Sequence, residues 1–340
     1  MGTGRMEIMG ILTCSQRGVI ELKTKMTPDD LLNIEVRPFT RLVWNSTEAR
    51  EKYEPLVQKA ASLHDRAEYE MVRQEKRRCG TLHLYPHNYH DLIDRIQKDG
   101  MVWLPIQWTK NYHGFSHRHL PTVPGDPDSS CYGVIARNLE DAEAFRTASA
   151  YQGRNRGVVD HEVIGELLGF PACCAKFFVD KWGDGYYDPV WQSAESTASA
   201  QYLADRTIEV EGHIHTHQML RYYGLRTTSN FPCSLDCADT IKIGETWLEV
   251  MRTIDPTATD YLIDLLSMPL SWSCLHGVAI VETQAFTVIT NSLPTKERWT
   301  VLFNVPGQPK AMEVLTMLGE DVDLKKIAVD SKQILSTWRR

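Results

Sequence analysis

No stretch of the 340-residue chain approaches the ~18 uncharged apolar residues that a membrane helix requires, so the sequence predicts no membrane partner. The N-terminus places Arg5 and Glu7 among short apolar stretches and lacks the apolar core of a secretory signal. Together these absences predict a cytoplasmic protein. Disulfide-scaffold cysteine density is also missing: eight cysteines in a chain of this length are too few for a stapled fold. In a reducing compartment they stay thiols, and a cluster of them then calls for metal ligation, redox chemistry or core packing. A positive balance is lacking as well. The formal charge of -7 argues against a general nucleic-acid coat, and only the strip Arg73–Arg78 (RQEKRR) keeps a nucleic-acid partner open. The alternative for that strip is a solvated helix face. No GxGxxG, P-loop or GxSxG motif occurs anywhere. A radical-SAM pattern would need a third cysteine three residues past Cys237, where the chain has Thr240.

What the chain does have is a globular balance, 42% hydrophobic and 24% charged, with enough length for two ordinary domains or one large one. Short apolar runs suggest strands over 5–22 and 33–44, followed by one charged amphipathic helix over 47–78. Strands at 81–85, 101–107 and 132–137 alternate with helices at 88–98 and 139–149, which predicts an N-terminal α/β unit over 1–150. A polar stretch at 151–160 reads as a linker. From 161 to about 267 the pattern is helical. Beyond it, β-branched runs at 277–290 and 299–304 return, with short helices expected at 310–318 and 330–338. The expected fold class is α+β: the N-terminal unit, then a cysteine-containing helical region with C-terminal strands over 151–340.

Two segments share a local grammar: Phe170-Pro171-Ala172-Cys173-Cys174 and Phe231-Pro232-Cys233-Ser234-Leu235-Asp236-Cys237. Proline is tolerated at the first helical position, so each segment predicts a helix start, with Gly169 ending the helix before the first and Ser229 and Asn230 offering caps before the second. Helix N-termini favour negative charge and lower thiol pKa values. On a helix Cys233 and Cys237 would share a face. Cys173, Cys174, Cys233 and Cys237 are therefore the candidate metal ligands, for zinc or an iron–sulfur cluster. The adjacent pair and the missing CxxC fit a multi-iron cluster better than a zinc ribbon. A redox dithiol and buried apolar cysteines are the competing readings.

Other polar groups are candidates for proton transfer or substrate binding. His213, His215 and His217 alternate in EGHIHTH, and on a helix His213 and His217 would share a face. Glu166, in the helix feeding Cys173, is a candidate general base. His113, His117 and His119 lie beside Arg118 in a loop-like stretch, where Arg118, like Arg226, suits an anionic substrate group. Cys274 and His276 form a further nucleophile–base pair only if folded together.

The stretch from Gly165 to Phe178, GELLGFPACCAKFF, resembles the LLGYPxCCxxFF signature of an uncharacterised prokaryotic domain family. Phe231–Cys237 and Trp272–Gly277 resemble the same family's PCSxxC and WxxLHG blocks, so the likeness covers roughly 160–290. It implies that the cysteines act as a set and supplies no reaction. A looser likeness to iron–sulfur epoxyqueuosine reductase, which also uses adjacent cysteines plus a separated pair, implies only that such an arrangement suits a cluster. These observations predict a cysteine-ligated metalloenzyme, iron–sulfur ahead of zinc, acting on a small polar or nucleotide-like substrate. Glu166, His213 and His217 would transfer protons, and Arg118, Arg226 and His117 would bind substrate. The rival expectations are a non-catalytic adaptor with a structural zinc site and a nucleic-acid or nucleoside modification enzyme.

Overall fold

The computed structural model describes residues 12–14, 20–22, 40–110, 120–121, 129–149, 151–152, 155–156, 159–183, 189–292 and 297–308. The helices expected at 310–318 and 330–338 lie outside them, as do His113, His117, Arg118 and His119.

Strands β1 (Leu12–Cys14) and β2 (Ile20–Leu22) pair antiparallel, and β3 (Thr40–Trp44) follows. The stretch expected as one helix over 47–78 is two: α1 (Thr47–Ala61) and α2 (Leu63–Arg73). The break falls at Ser62, whose hydroxyl donates to the Lys59 carbonyl at 3.4 Å, the kind of local side-chain bond that competes with helix continuation. Glu75 then takes a positive φ of 58°, and the chain turns into β4 (Cys79–Leu84). The basic strip is thereby divided. Arg77 is buried on Glu68, whereas Arg78 faces out and pairs with Asp141 and Glu166.

Strands β4, β5 (Val102–Lys110), β6 (Leu120–Pro121) and β7 (Ser129–Ala136) form an antiparallel sheet in the order β4-β7-β5-β6. Helices α3 (Tyr89–Lys98) and α4 (Leu139–Ala148) pack on it, as the alternating pattern predicted. A short ladder, β8 (Tyr151–Gln152) with β9 (Asn155–Arg156), precedes α5 (His161–Leu167), α6 (Ala172–Gly183) and α7 (Val190–Glu195). The helical centre is interrupted by β10 (Gln201–Tyr202) and β11 (Thr207–Glu211), where buried Ile208 and Val210 alternate with less buried neighbours. Helices α8 (Ala238–Ile254) and α9 (Pro256–Leu266) complete the centre.

The C-terminal strands are β12 (Leu270–Leu275), β13 (Val278–Thr283), β14 (Phe286–Asn291) and β15 (Trp299–Asn304). They join a seven-stranded sheet ordered β10-β11-β15-β12-β13-β14-β3, in which only β11 and β15 run parallel. Strand β3, just before α1, thus forms one edge of the sheet of the C-terminal region. One buried cluster unites Val57 and Leu63 of the early helices with Trp247, Leu262, Trp272, Phe286 and Phe303. The architecture is α+β, with N-terminal strand–helix units, a mainly helical middle and C-terminal strands. Among the described residues no helix is long and apolar enough to cross a membrane.

Candidate metal centre

The first cysteine segment is built by local signals. Gly169 takes a φ of 67° and ends α5, with its N–H donating to the Glu166 carbonyl and the Phe170 N–H donating to the Gly165 carbonyl. These two bonds make the Schellman pattern that glycine favours at a helix C-terminus. Pro171 follows, its carbonyl accepting from the Ala175 N–H at 2.8 Å, and α6 begins at Ala172. Cys173 and Cys174 therefore lie in the first turn of α6. Cys174 points inward and is 1% exposed, whereas Cys173 is exposed.

The second segment departs from expectation. α8 begins at Ala238, not at Pro232, and Cys237 is its N-terminal flanking residue. Cys233 and Cys237 consequently do not share a helix face; a tight turn brings them together, with the Cys237 N–H donating to the Ser234 carbonyl at 3.2 Å. The physical reason is that the backbone groups a helix would need have distant partners. The Ser193 hydroxyl donates to the Pro232 carbonyl at 2.6 Å, and the Leu235 N–H donates to Thr197 Oγ1 at 2.8 Å. The Leu235 carbonyl accepts from the His213 N–H at 3.1 Å and from the Thr216 hydroxyl at 2.6 Å. Nor do Ser229 and Asn230 cap a helix: Ser229 bonds the His64 ring, and the Asn230 amide donates to Thr240 Oγ1 at 3.0 Å.

The two segments converge. Sγ separations are 3.8 Å for Cys173–Cys174, 3.8 Å for Cys173–Cys237 and 3.6 Å for Cys174–Cys237. With Cys233 included, all four sulfurs lie within 4.8 Å of one another. Among the described residues this is the group of His, Cys, Asp and Glu side chains placed to hold a metal ion. The Cys233 N–H donates to Cys174 Sγ at 3.4 Å, and Thr240 Oγ1 lies 3.2 Å from the same sulfur. Burial pushes the thiols of Cys173 and Cys174 above the ordinary value and that of Cys233 up to about 12. At Cys237 burial also raises the value, but bonds from the Thr240 hydroxyl and backbone N–H, with those from Cys174 and Cys233, outweigh it and leave a net lowering. Three of the four crowded thiols are thus raised, mainly by burial, and are poor anions by themselves; a cation at their centre would stabilise them as thiolates.

The other sequence candidates among the described residues lie outside this sulfur group. Glu166 is exposed on α5 and pairs with Arg78 at 3.1 Å. The 212–220 segment is not helical, so the shared helix face expected for His213 and His217 does not form. His213 instead packs its half-buried ring on His215, centroids 4.7 Å apart, and His217 is fully buried edge-on against Phe303. Burial lowers all three histidines, His215 and His217 to about 4, so both are neutral at pH 7. Arg226 places Nη2 3.3 Å from His64 Nδ1. Cys274 is buried with its sulfur 3.0 Å from Ser292 Oγ, while His276 takes a φ of 53° at the turn after β12.

Sequence reasoning missed Thr240 and Asp239 as neighbours of the sulfurs, and Asn230 as the partner of Thr240. A hydroxyl at the third residue of α8 was a readable signal, since first-turn polar groups serve whatever sits at a helix N-terminus. Asp239 Oδ2 lies 3.8 Å from Cys173 Sγ. No family model, curated protein or solved structure matches the chain.

Proposed function

We propose that Cys173, Cys174, Cys233 and Cys237 hold one tetrahedral metal ion, zinc, as a clamp that joins α6 to the 231–237 turn and α8. The observation that carries this reading is the sulfur spacing. Four sulfurs each about 2.3 Å from a tetrahedral centre stand about 3.8 Å apart, and three of the pairs here measure 3.6–3.8 Å. In a cubane cluster each cysteine holds a different iron, which spreads the sulfurs well beyond such values. An all-thiolate set leaves no open coordination position, the pattern of structural zinc. The chain is then a binding or adaptor protein whose central region depends on its metal.

Metal analysis and a visible spectrum of anaerobically purified protein test the reading. One zinc per chain, no visible absorbance, and loss of folded structure on chelation are the expected results. Several irons with broad visible absorbance would overturn it.

A second reading is favoured by one observation: the Cys173 sulfur is solvent-facing and lies beside the Asp239 carboxylate. A metalloenzyme working on a small polar or nucleotide-like substrate would approach the centre from that side. A Cys173→Ser variant that keeps its metal but loses reactivity toward a thiol-directed alkylating agent, with the other three ligands unmodified in wild type, supports this second reading.

A further inference from the structure

A cleft of about 700 Å³ opens between α2, α3 and the C-terminal end of α8. Its lining includes Arg66, Arg73 and Arg95, with Leu82, Leu92 and Ile254 as the apolar part. Positions 66, 69, 70 and 73 recur at helical spacing, so one face of α2 supplies much of the wall. This volume lies in the range of small-molecule sites, about 300–1,000 Å³.

The cleft's three guanidiniums meet two lining carboxylates, Asp65 and Glu70, and a third carboxylate, Asp99, stands 3.9 Å from Arg95 Nε. Glu70 is shared, with Arg73 Nη2 at 2.6 Å and Arg95 Nη2 at 3.7 Å. Asp65 sits 3.5 Å from His64 Nδ1. Arg95 is held further by stacking over the Tyr69 ring at 4.6 Å, while the Tyr69 hydroxyl donates to Asp99 Oδ2 at 2.6 Å. Arg66 has no carboxylate partner among the described residues. Two guanidiniums are thus oriented by a shared carboxylate, and a third is left for an anion. Planar guanidiniums bind phosphate oxygens in pairs, which lysines do not.

We propose that this cleft binds a small phosphate ester: its phosphate on Arg66 with Arg73 and Arg95, and its organic body on Leu82, Leu92 and Ile254. The site is distinct from the sulfur centre. Cys237 immediately precedes α8, which carries Thr253 and Ile254 at its end, and its 17 residues span about 25 Å. The inference therefore does not rest on the metal reading.

Titration calorimetry on the full-length protein as purified, with its metal, tests it. The probes are adenosine monophosphate, ribose 5-phosphate and inorganic phosphate, with adenosine as the uncharged control. Saturable one-to-one binding of the two esters, weaker binding of inorganic phosphate and none of adenosine are expected. Arg66→Ala should weaken ester binding tenfold or more, Arg66→Lys should recover part of it, and added salt should weaken wild-type binding. Absence of saturable binding for all three phosphates overturns the proposal, as does unchanged affinity in Arg66→Ala. Inorganic phosphate binding as tightly as the esters overturns the role given to the apolar wall.

Discussion

The two Phe-Pro-Cys segments begin alike and end differently. After Pro171 the chain enters α6 at once, whereas after Pro232 it makes a turn and reaches α8 only at Ala238. Local chemistry accounts for the first. A left-handed glycine stops α5, a proline starts the next helix, and the new helix's own bonds satisfy the backbone. In the second, Ser193, Thr197, His213 and Thr216 occupy the backbone groups of 232–235 before any helix can use them. A helix-start signal is thus only a proposal by the sequence, and it yields wherever tertiary partners claim the same N–H and C=O groups. Here that yielding is useful, because the turn folds Cys233 and Cys237 back onto Cys174.

The largest expected effect tests whether the two segments depend on each other. Cys174→Ala removes the sulfur that touches Cys237 and accepts from the Cys233 N–H. It should abolish metal binding and lower the thermal midpoint by about 10 °C or more, the scale of losing several kcal/mol in a chain of this size. Scanning calorimetry with metal analysis reads both; an unchanged midpoint would show that the segments hold without the ion.

Acid should act on the second segment first. Its Leu235 carbonyl is held by the 213–216 stretch, beside which His215 and His217 are buried with pKa values lowered to about 4. A base whose folded pKa is depressed binds fewer protons folded than unfolded, so stability is full above the ordinary value near pH 6.5 and falls as pH drops toward 4. Across that window the loss should reach a few kcal/mol. His217→Leu should flatten the slope in pH-dependent denaturation. Hydrogen exchange should rise in 231–237 before it rises in 172–180; the reverse order would remove the distinction between the segments.

A smaller effect is expected from Thr197→Val, which deletes the oxygen accepting from the buried Leu235 N–H. Leaving that donor unpaired should cost about 1–3 kcal/mol in chemical denaturation and weaken metal retention. The smallest belongs to Glu166→Gln. This residue lies in the helix feeding the first segment, but its ion pair with Arg78 is exposed. Stability should change by less than about 1 kcal/mol, with full metal content by elemental analysis. A loss of metal in Glu166→Gln would reveal a link to the sulfurs that the geometry lacks.

Much of the fold was legible because its signals are local. The strand at 299–304 and the helix at 139–148 follow the periodicity of their own residues, and Asn138 caps the latter through the Asp141 N–H. The break at Ser62 was not, since apolar spacing runs on across it. The strand at 207–211 was readable from the alternation in TIEVE, yet it sits inside an otherwise helical stretch and earns its place by pairing with β15.

For the centre, the sequence by itself determined which four cysteines form a set and that α6 would start beside the first pair. Those follow from residue identity and from bonds spanning a few residues. Only the tertiary structure decided that the two segments meet, that Cys233 and Cys237 approach through a turn, and that the four sulfurs come within 4.8 Å of one another. It also decided that His213 and His217 pack away from the sulfur group. These outcomes depend on hydrogen bonds between residues about 20 to 60 positions apart, such as Thr216 to Leu235 and Cys233 to Cys174, and no local pattern encodes which distant group will claim a given backbone atom.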